Sequence, residues 1–253
     1  MDYRSVFVDS LGYTKETLFG KLSRWVIFAL CALPGVLAVI LCETFCAELP
    51  AAILSLLVAP LLYVIVSGYI ARIYRGATSP PEFDNWGSLF VDGFRIAVTY
   101  ILWFLPAFLL SLALGGLTIA FCVAEQIDAF IALVYLLLTP LLLAAVVIAV
   151  LYSDLGAILC ARTNSILEGI NILSITKTIG AIGWVNYLIA IVILIIPFLV
   201  ITMTLAFAFD FIPVPYVVDI IDGCVITPIY LVFAARYMTL LYNQGTSQQP
   251  PTL

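Results

Sequence analysis

Long stretches without charged residues constrain this chain more than any other feature of its sequence. Five such stretches are followed by a sixth apolar one that holds two aspartates, and their bounds are 25–42, 49–71, 96–124, 129–153, 178–209 and about 216–236. About 20 apolar residues in a helix cross a hydrocarbon core of about 30 Å. Because backbone groups in lipid must be hydrogen-bonded within their own segment, each stretch is predicted to be helical. The sequence therefore predicts an all-α membrane protein with six transmembrane helices in a single membrane domain, residues 1–253.

The composition excludes several other classes of protein. Of the 253 residues, 64% are hydrophobic and 10% are charged, whereas a soluble domain is nearer half apolar and a quarter charged. Ten scattered Lys and Arg residues form no basic stripe, so no nucleic-acid partner is expected. The chain has no histidine, the commonest general base and transition-metal ligand. The amino-terminal segment carries Asp2, Asp9 and Glu16 without a cleavage site after the first apolar stretch, so we expect it to be retained.

The distribution of basic residues predicts the orientation of the chain. With six spans, one side of the membrane receives both termini and the segments 72–95 and 154–183. All ten Lys and Arg residues fall on that side, and the loops near 43–50, 122–128 and 209–219 contain none. Short cytoplasmic loops carry the excess of positive charge. Both termini are therefore predicted to be cytoplasmic, with the chain in the cell membrane.

A weak internal repeat divides the chain into three units, 5–77, 82–162 and 163–245. Each unit begins with a related segment, then a tryptophan and two spans that each contain a proline; the segments are Phe7–Leu11, Phe90–Phe94 and Ile166–Ile170. The unit would be an amphipathic cytoplasmic helix followed by a Pro-kinked hairpin. Chance similarity is the alternative, because apolar sequences align easily and membrane helices tolerate proline.

Two segments beside the spans are predicted to be amphipathic helices. Ser79 and Glu82 form a capping box that would begin a helix over 81–95, with aromatic residues on one face and charged residues on the other. Ser165 and Glu168 form a second capping box ahead of Lys177. Such helices would lie flat in the cytoplasmic interface or pack beneath the bundle, and the two arrangements are compatible.

One stretch of sequence resembles a known family. It consists of Gly68-Tyr69-x2-Arg72-x2-Arg75-Gly76 followed by Pro81-x-Phe83-Asp84-x-Trp86-x2-Leu89-Phe90-x-Asp92-Gly93. This pattern resembles the signature of domain-of-unknown-function family 4013, which consists of prokaryotic, largely archaeal, multi-span membrane proteins. The likeness is tightest over 68–93, and the third unit lacks the Pro-x-Phe-Asp run. The resemblance implies the class and the topology, and it implies no activity.

Charged residues of the matched stretch are the first candidate site. Arg72 and Arg75 share a helix face at the end of the second span. They could bind a lipid headgroup phosphate or anchor Asp84 or Asp92 of the next helix. The simpler interpretation, which we favour, is that they are ordinary positive-inside residues.

The last span contains the second candidate site. Asp222 and Arg236 are 14 residues apart, about 21 Å along a helix at roughly 1.5 Å per residue, in a core of about 30 Å. Asp222 is therefore predicted to lie inside the bundle or in a wet cavity, where Asp219 would share a proton or a cation with it. The alternatives are a locally thinned bilayer or a helix that begins after Gly223.

The predicted outer loops contain only acidic charges. The acidic residues are Glu43, Glu48, Glu125, Asp128, Asp210 and Asp219. They could line a vestibule for cations. Alternatively, they are simply the charged residues that are left on a side from which Lys and Arg are excluded. Four of the six cysteines lie toward the same side, where a disulfide could form: Cys42, Cys46, Cys122 and Cys224. Without histidine or a paired CxxC spacing, no metal site and no cofactor are expected.

Three functional classes remain, and the third, an intramembrane enzyme, is the least expected because no nucleophile–base pair appears. The first is a non-catalytic membrane scaffold or lipid-interacting accessory protein, whose cytoplasmic helices would dock a membrane protein partner. The second is a small-solute or ion transporter or channel-like protein with an intramembrane acid at Asp222. The spans hold mostly Leu, Ile, Val and Ala, which favours the scaffold slightly. A water-accessible cavity that reaches Asp222 would favour transport instead.

Overall fold

Every element of the computed structural model is helical within the residues that it describes, which are 2–44, 49–124, 129–209 and 216–247. The prediction of an all-α protein is confirmed for that part of the chain. In chain order the elements are α1 Tyr3–Phe19, α2 Leu22–Thr44, α3 Leu49–Tyr74, α4 Trp86–Ala124, α5 Ala129–Thr163, α6 Ile166–Gly169, α7 Ile172–Ile182, α8 Trp184–Phe209, α9 Val217–Ile221, a π-helical segment Asp222–Ile226, and α10 Thr227–Ser247.

Five stretches of helix are long and apolar enough to cross a membrane. They are Leu57–Tyr74, Trp86–Ile119, Leu133–Thr163, Trp184–Phe209 and Val217–Ser247. A sixth would come from Tyr3–Phe19 and Leu22–Leu37 taken together, although these two helices are bent by 87°. Many large apolar side chains on α4, α5 and α8 are exposed, as lipid-facing residues of a membrane protein are. The helices thus fit a multi-pass membrane protein with five or six spans.

The prediction of a separate helix over 81–95 was wrong. Residues 80–85 are not helical, and α4 runs without interruption from Trp86 to Ala124. Asn85 has a positive φ of 47°, so the helix starts after it, and no Gly-Pro or other breaker separates the amphipathic part from the span. The polar face turns toward the protein, where Asp92 is buried, while Phe90 and Phe94 are exposed.

The segment before α8 also differs from its prediction. Ser165 is the N-cap of α6, as expected, but its side chain makes no capping hydrogen bond. Asn171 caps the next helix instead, its side chain accepting a hydrogen bond from the backbone N–H of Ser174. Gly183 ends α7 with a φ of 92°, which glycine adopts readily. The fifth apolar stretch is therefore a short helix and a span that begins at Trp184.

Helix α3 occupies the centre of the bundle, in contact with α2, α4, α5 and α10. Its residues Tyr69 and Ile73 are fully buried, as are Ile158 of α5 and Tyr237 of α10. α3 and α4 approach closely at two glycines, Gly68 of α3 and Gly93 of α4. A Cβ added to Gly68 would lie 2.0 Å from the carbonyl oxygen of Leu89. Glycine at such positions lets two backbones come together, which helix association in lipid exploits.

Candidate functional site

A cavity of about 460 Å³ lies between α3, α4, α5, α8 and α10. Its polar lining consists of four tyrosines, two serines and one aspartate: Tyr63, Tyr74, Tyr100, Tyr230, Ser67, Ser153 and Asp154. The remaining lining is apolar and includes Phe104. Small-molecule sites are commonly clefts of roughly 300–1,000 Å³ with an apolar lining and a few convergent polar groups. This cavity has that character.

Asp154 is the acidic group of this cavity. The hydroxyl of Tyr100 donates a hydrogen bond of 2.7 Å to its Oδ1 atom. The hydroxyl of Tyr74 lies 3.0 Å from that of Tyr100, so a second hydrogen bond extends the chain across α3, α4 and α5. Asp154 makes no ion pair with any residue that the structure describes, and no Lys or Arg is among the described lining residues.

Asp154 lies within a membrane-spanning helix and not at its end. It is eight residues before Arg162, which places it about 12 Å from that residue along α5. The sequence interpretation ended the fourth span at residue 153 because a charged residue followed. The sequence feature that indicates a longer span is the apolar run 155–161, which extends from Asp154 to Arg162. Seven apolar residues between an acid and the next basic residue are compatible with an intramembrane acid.

Asp222 and Asp219 lie together, as the sequence suggested. Both line a cleft of about 290 Å³ against α2, with Gly35 and Val36 on its wall. Asp222 also lines a second cleft of about 280 Å³ beside α8, next to Phe198 and Thr202. No described residue donates a hydrogen bond to the Asp222 carboxyl. Its depth in a bilayer stays a prediction.

The chain forms a π-helical segment at Asp222–Ile226. Such an insertion of one residue into a helix often marks a functional position. Here the indole N–H of Trp25 donates a hydrogen bond of 3.0 Å to the carbonyl oxygen of Cys224, which satisfies a backbone acceptor within the insertion. Gly223 permits close contact with α2, because a Cβ there would lie 2.2 Å from Val36 Cγ2.

The Asp222 cleft beside α8 and the Asp154 cavity are neighbours. Ile195 and Tyr230 line both of them. Tyr230 of α10 is eight residues after Asp222 of the π-helical segment. Two carboxyl groups therefore line neighbouring cavities that share one aromatic and one aliphatic side chain.

Arg75 and Asp92 form a bidentate ion pair at the other end of the bundle. Two hydrogen bonds, 2.5 and 2.6 Å long, join the guanidinium to both carboxylate oxygens, and Asp92 is buried. Arg75 also donates to the side chain of Asn164 and to the carbonyl oxygen of Ala161. The contact ties α3, α4 and α5 together, and it is the anchoring contact that was one alternative for Arg75.

Arg72 makes the equivalent contact with Asp84, in the segment before α4. Its guanidinium pairs with the Asp84 carboxylate and also donates to the carbonyl oxygens of Glu82 and Asp84. Protein acceptors thus occupy most donors of both arginines. Lipid headgroup binding at Arg72 and Arg75 stays a prediction, and these contacts weigh against it.

Glu82 forms two further ion pairs at this end, one with Lys21 and one with Arg24. The hydrogen bond from Lys21, followed by that from Arg24, holds the pKa of Glu82 below its usual range. The side chain of Arg24 is 8% exposed, whereas that of Glu82 is half exposed. The contacts join the start of α2 to the segment before α4.

The outer acids and cysteines of the sequence analysis mostly lie outside the part of the structure that is described. This holds for the side chains of Glu43, Glu48, Glu125, Asp128, Asp210, Cys42, Cys46 and Cys122. Within the described residues, Cys31, Cys160 and Cys224 are free thiols. Among those same residues, no group of three or more Cys, Asp or Glu side chains is placed to hold a metal ion.

The long apolar helices and the cavity between them define the class: a helical, multi-pass membrane protein with a largely apolar cavity in its bundle that contains one acid. The chain belongs to the family described as protein of unknown function (DUF4013), whose sequence profile matches residues 51–209. The resemblance found over 68–93 is thereby confirmed. No curated protein and no solved structure matches the chain. Function has to be argued from the site itself.

Proposed function

We propose that this protein carries a small solute across the membrane, and that the cavity at Asp154 is its binding site. One observation supports this most: a carboxyl group inside a spanning helix lines a cavity of about 460 Å³ with no basic partner among the described lining residues. Intramembrane acids are costly, and they mark ion and substrate pathways. A π-helical turn within a spanning helix often marks a functional position, and the Asp222–Ile226 segment lies beside the site.

The sequence favoured a scaffold slightly, because the spans lacked interior polar groups. Tertiary structure brings such groups together: tyrosines from α3, α4 and α10 and the carboxyl group from α5 converge on one volume. Clefts also reach Asp222, the feature expected of a transport protein. The small-solute transporter, which was the second hypothesis, is therefore our proposal. It assigns no chemical reaction to the chain.

The scaffold or lipid-interacting accessory protein is retained as a second candidate because of one surface. Trp86, Phe90 and Phe94 are exposed on the first three turns of α4. Aromatic side chains are enriched where a membrane protein meets the lipid headgroups, and they also dock partners. A membrane protein partner would bind there.

The proposal includes an arrangement in the membrane. The six spans would form three Pro-kinked hairpins with both termini in the cytoplasm and the chain in the cell membrane, and α7 would lie at the cytoplasmic interface. Ion pairs support a common side for the basic residues, since Lys21, Arg72, Arg75 and Arg236 all contact residues that the same orientation places in the cytoplasm.

Accessibility of the cavity tests the proposal. Ser153 lines the cavity and is buried, so Ser153→Cys, in a background without the native cysteines, places a thiol there. A membrane-impermeant methanethiosulfonate reagent is then added to right-side-out or inverted vesicles. We expect modification of Ser153→Cys from either side, because a carrier opens its site alternately to both.

Thr99 provides the matched control. It is fully buried, and its methyl group lies against Gly169 in the packed interface of α4 and α6, outside the cavity lining. Thr99→Cys should stay unmodified in both kinds of vesicle. Modification of Ser153→Cys from one side only would favour the second candidate, and absence of modification from both sides would overturn the proposal.

A further inference from the structure

The aromatic lining of the Asp154 cavity constrains what the cavity can bind. Five aromatic residues line the same volume as the carboxyl group: Tyr63, Tyr74, Tyr100, Phe104 and Tyr230. The face of an aromatic ring attracts a cation within about 6 Å of its centroid, and the attraction is strongest where water is excluded. Groups of such rings recognise quaternary ammonium ions. The aromatic rings and the carboxylate together therefore favour the binding of an organic ligand with one positive charge.

The same lining disfavours other ligands. An anion would meet Asp154 without any Lys or Arg among the described lining residues. A divalent metal ion prefers several oxygen, nitrogen or thiolate ligands, and the described residues provide one carboxyl group with neutral hydroxyls. A neutral solute would leave the carboxylate uncompensated in the bundle. A single positive charge compensates Asp154 without further ligands.

From these contacts we infer that the Asp154 cavity binds a small organic ammonium ion. The carboxylate of Asp154 neutralises the positive charge, and Tyr100 orients the carboxylate through its hydrogen bond of 2.7 Å. Tyr74 in turn contacts Tyr100 by its hydroxyl, 3.0 Å away, which fixes the position of both rings on the cavity wall. The inference rests on the proposed function, since it names the class of solute that the carrier binds.

Equilibrium binding of tetramethylammonium to the purified full-length protein in detergent tests the inference. Isothermal titration calorimetry measures affinity, and the melting temperature measures stabilisation by the bound cation, which a ligand specific for the folded state must raise. We expect saturable binding of tetramethylammonium. Asp154→Asn keeps the size of the side chain and an oxygen acceptor for Tyr100, and it should weaken binding about tenfold or more because it removes the charge.

Asp222→Asn is the matched control, since it removes an acid of the same kind that does not line this cavity. Its affinity for tetramethylammonium should equal that of the parent protein. A melting curve of each variant without ligand checks that both fold. Two further titrations, with sodium chloride and with the neutral tert-butanol, separate an organic cation from an inorganic one and from an apolar solute.

Four results would overturn the inference: no binding of tetramethylammonium, equal binding by Asp154→Asn, equal binding of tert-butanol, or stabilisation by sodium alone. The labelling of Ser153→Cys distinguishes this failure from failure of the proposed function. If that thiol reacts from both sides while tetramethylammonium does not bind, the proposed carrier function is retained and the inferred class of solute is wrong. If it reacts from neither side, the carrier itself is wrong.

Discussion

Gly93 of α4 lies directly against the backbone of α3, where a Cβ atom would stand 1.8 Å from the carbonyl oxygen of Val64. No side chain fits at that distance, so any larger residue must push the two helices apart. Gly68 makes the reciprocal contact from α3 toward Leu89. Both glycines belong to the stretch that resembles the family, which gives part of that motif a packing role.

Gly93→Ala should destabilise the protein by about 1–3 kcal/mol, the usual cost of forcing extra volume into a packed interface. A lower melting temperature in detergent, measured together with the elution profile on size exclusion, would show it. Gly116→Ala on the same helix is the control, because nothing lies within 4 Å of a Cβ there. If both variants melt at the same temperature as the parent protein, α3 and α4 do not pack as closely at Gly93 as the structure shows.

Asp92→Asn should cost about 1–3 kcal/mol, because the Arg75 guanidinium loses its charged partner in a buried contact. Asp84→Asn removes a similar pair whose carboxylate is 72% exposed, so its cost should be about 0–1 kcal/mol. Chemical or thermal unfolding in detergent compares the two. Equal costs would contradict the difference in burial on which the prediction rests.

The ion pairs of Glu82 predict a dependence of stability on pH. Its pKa is lowered in the folded protein, mainly by Lys21, so its stabilising contribution is present above the ordinary value of 4.5 and is lost as the pH falls through the lowered pKa. The melting temperature should therefore fall less steeply below pH 4.5 in Glu82→Gln than in the parent. Identical slopes in the two proteins would show that the pairs contribute nothing.

The division of basic residues predicts that both termini are cytoplasmic. Ser5→Cys and Ser247→Cys, each in a cysteine-free background, should resist an impermeant thiol reagent in intact cells and react after lysis. A cysteine placed at position 126 should react in intact cells. Labelling of either terminus from outside, without labelling at position 126, would show that the orientation is the opposite of the predicted one.

Sequence patterns predicted the helical class and the approximate spans well, because lipid imposes long apolar segments whatever their partners are. They failed where tertiary contact decides. The amphipathic face of 86–95 has the periodicity of an interfacial helix, yet its charged side is occupied by Arg75, a residue from another helix. Periodicity indicates that a face is polar, and it does not indicate what that face contacts.

The candidate site was predicted less well than the fold. Asp222 was found because its distance from Arg236 conflicts with the thickness of a bilayer. Asp154 was taken as the end of a span, and the tyrosines around it carry no motif. Their positions, at 63, 74, 100 and 230, come from three helices that only the folded bundle brings together. No local pattern could have shown that convergence.

The π-helical turn at Asp222–Ile226 sets the direction in which the preceding side chains point relative to those of α10. Each residue of an α-helix advances the direction of its side chain by about 100°. Deleting one residue of the turn would restore ordinary α-helical spacing and rotate Asp222 by about that angle relative to Tyr230. The carboxyl group would then point away from the α8 cleft. One inserted residue thus directs this acid toward the cleft that Phe198 and Thr202 of α8 line.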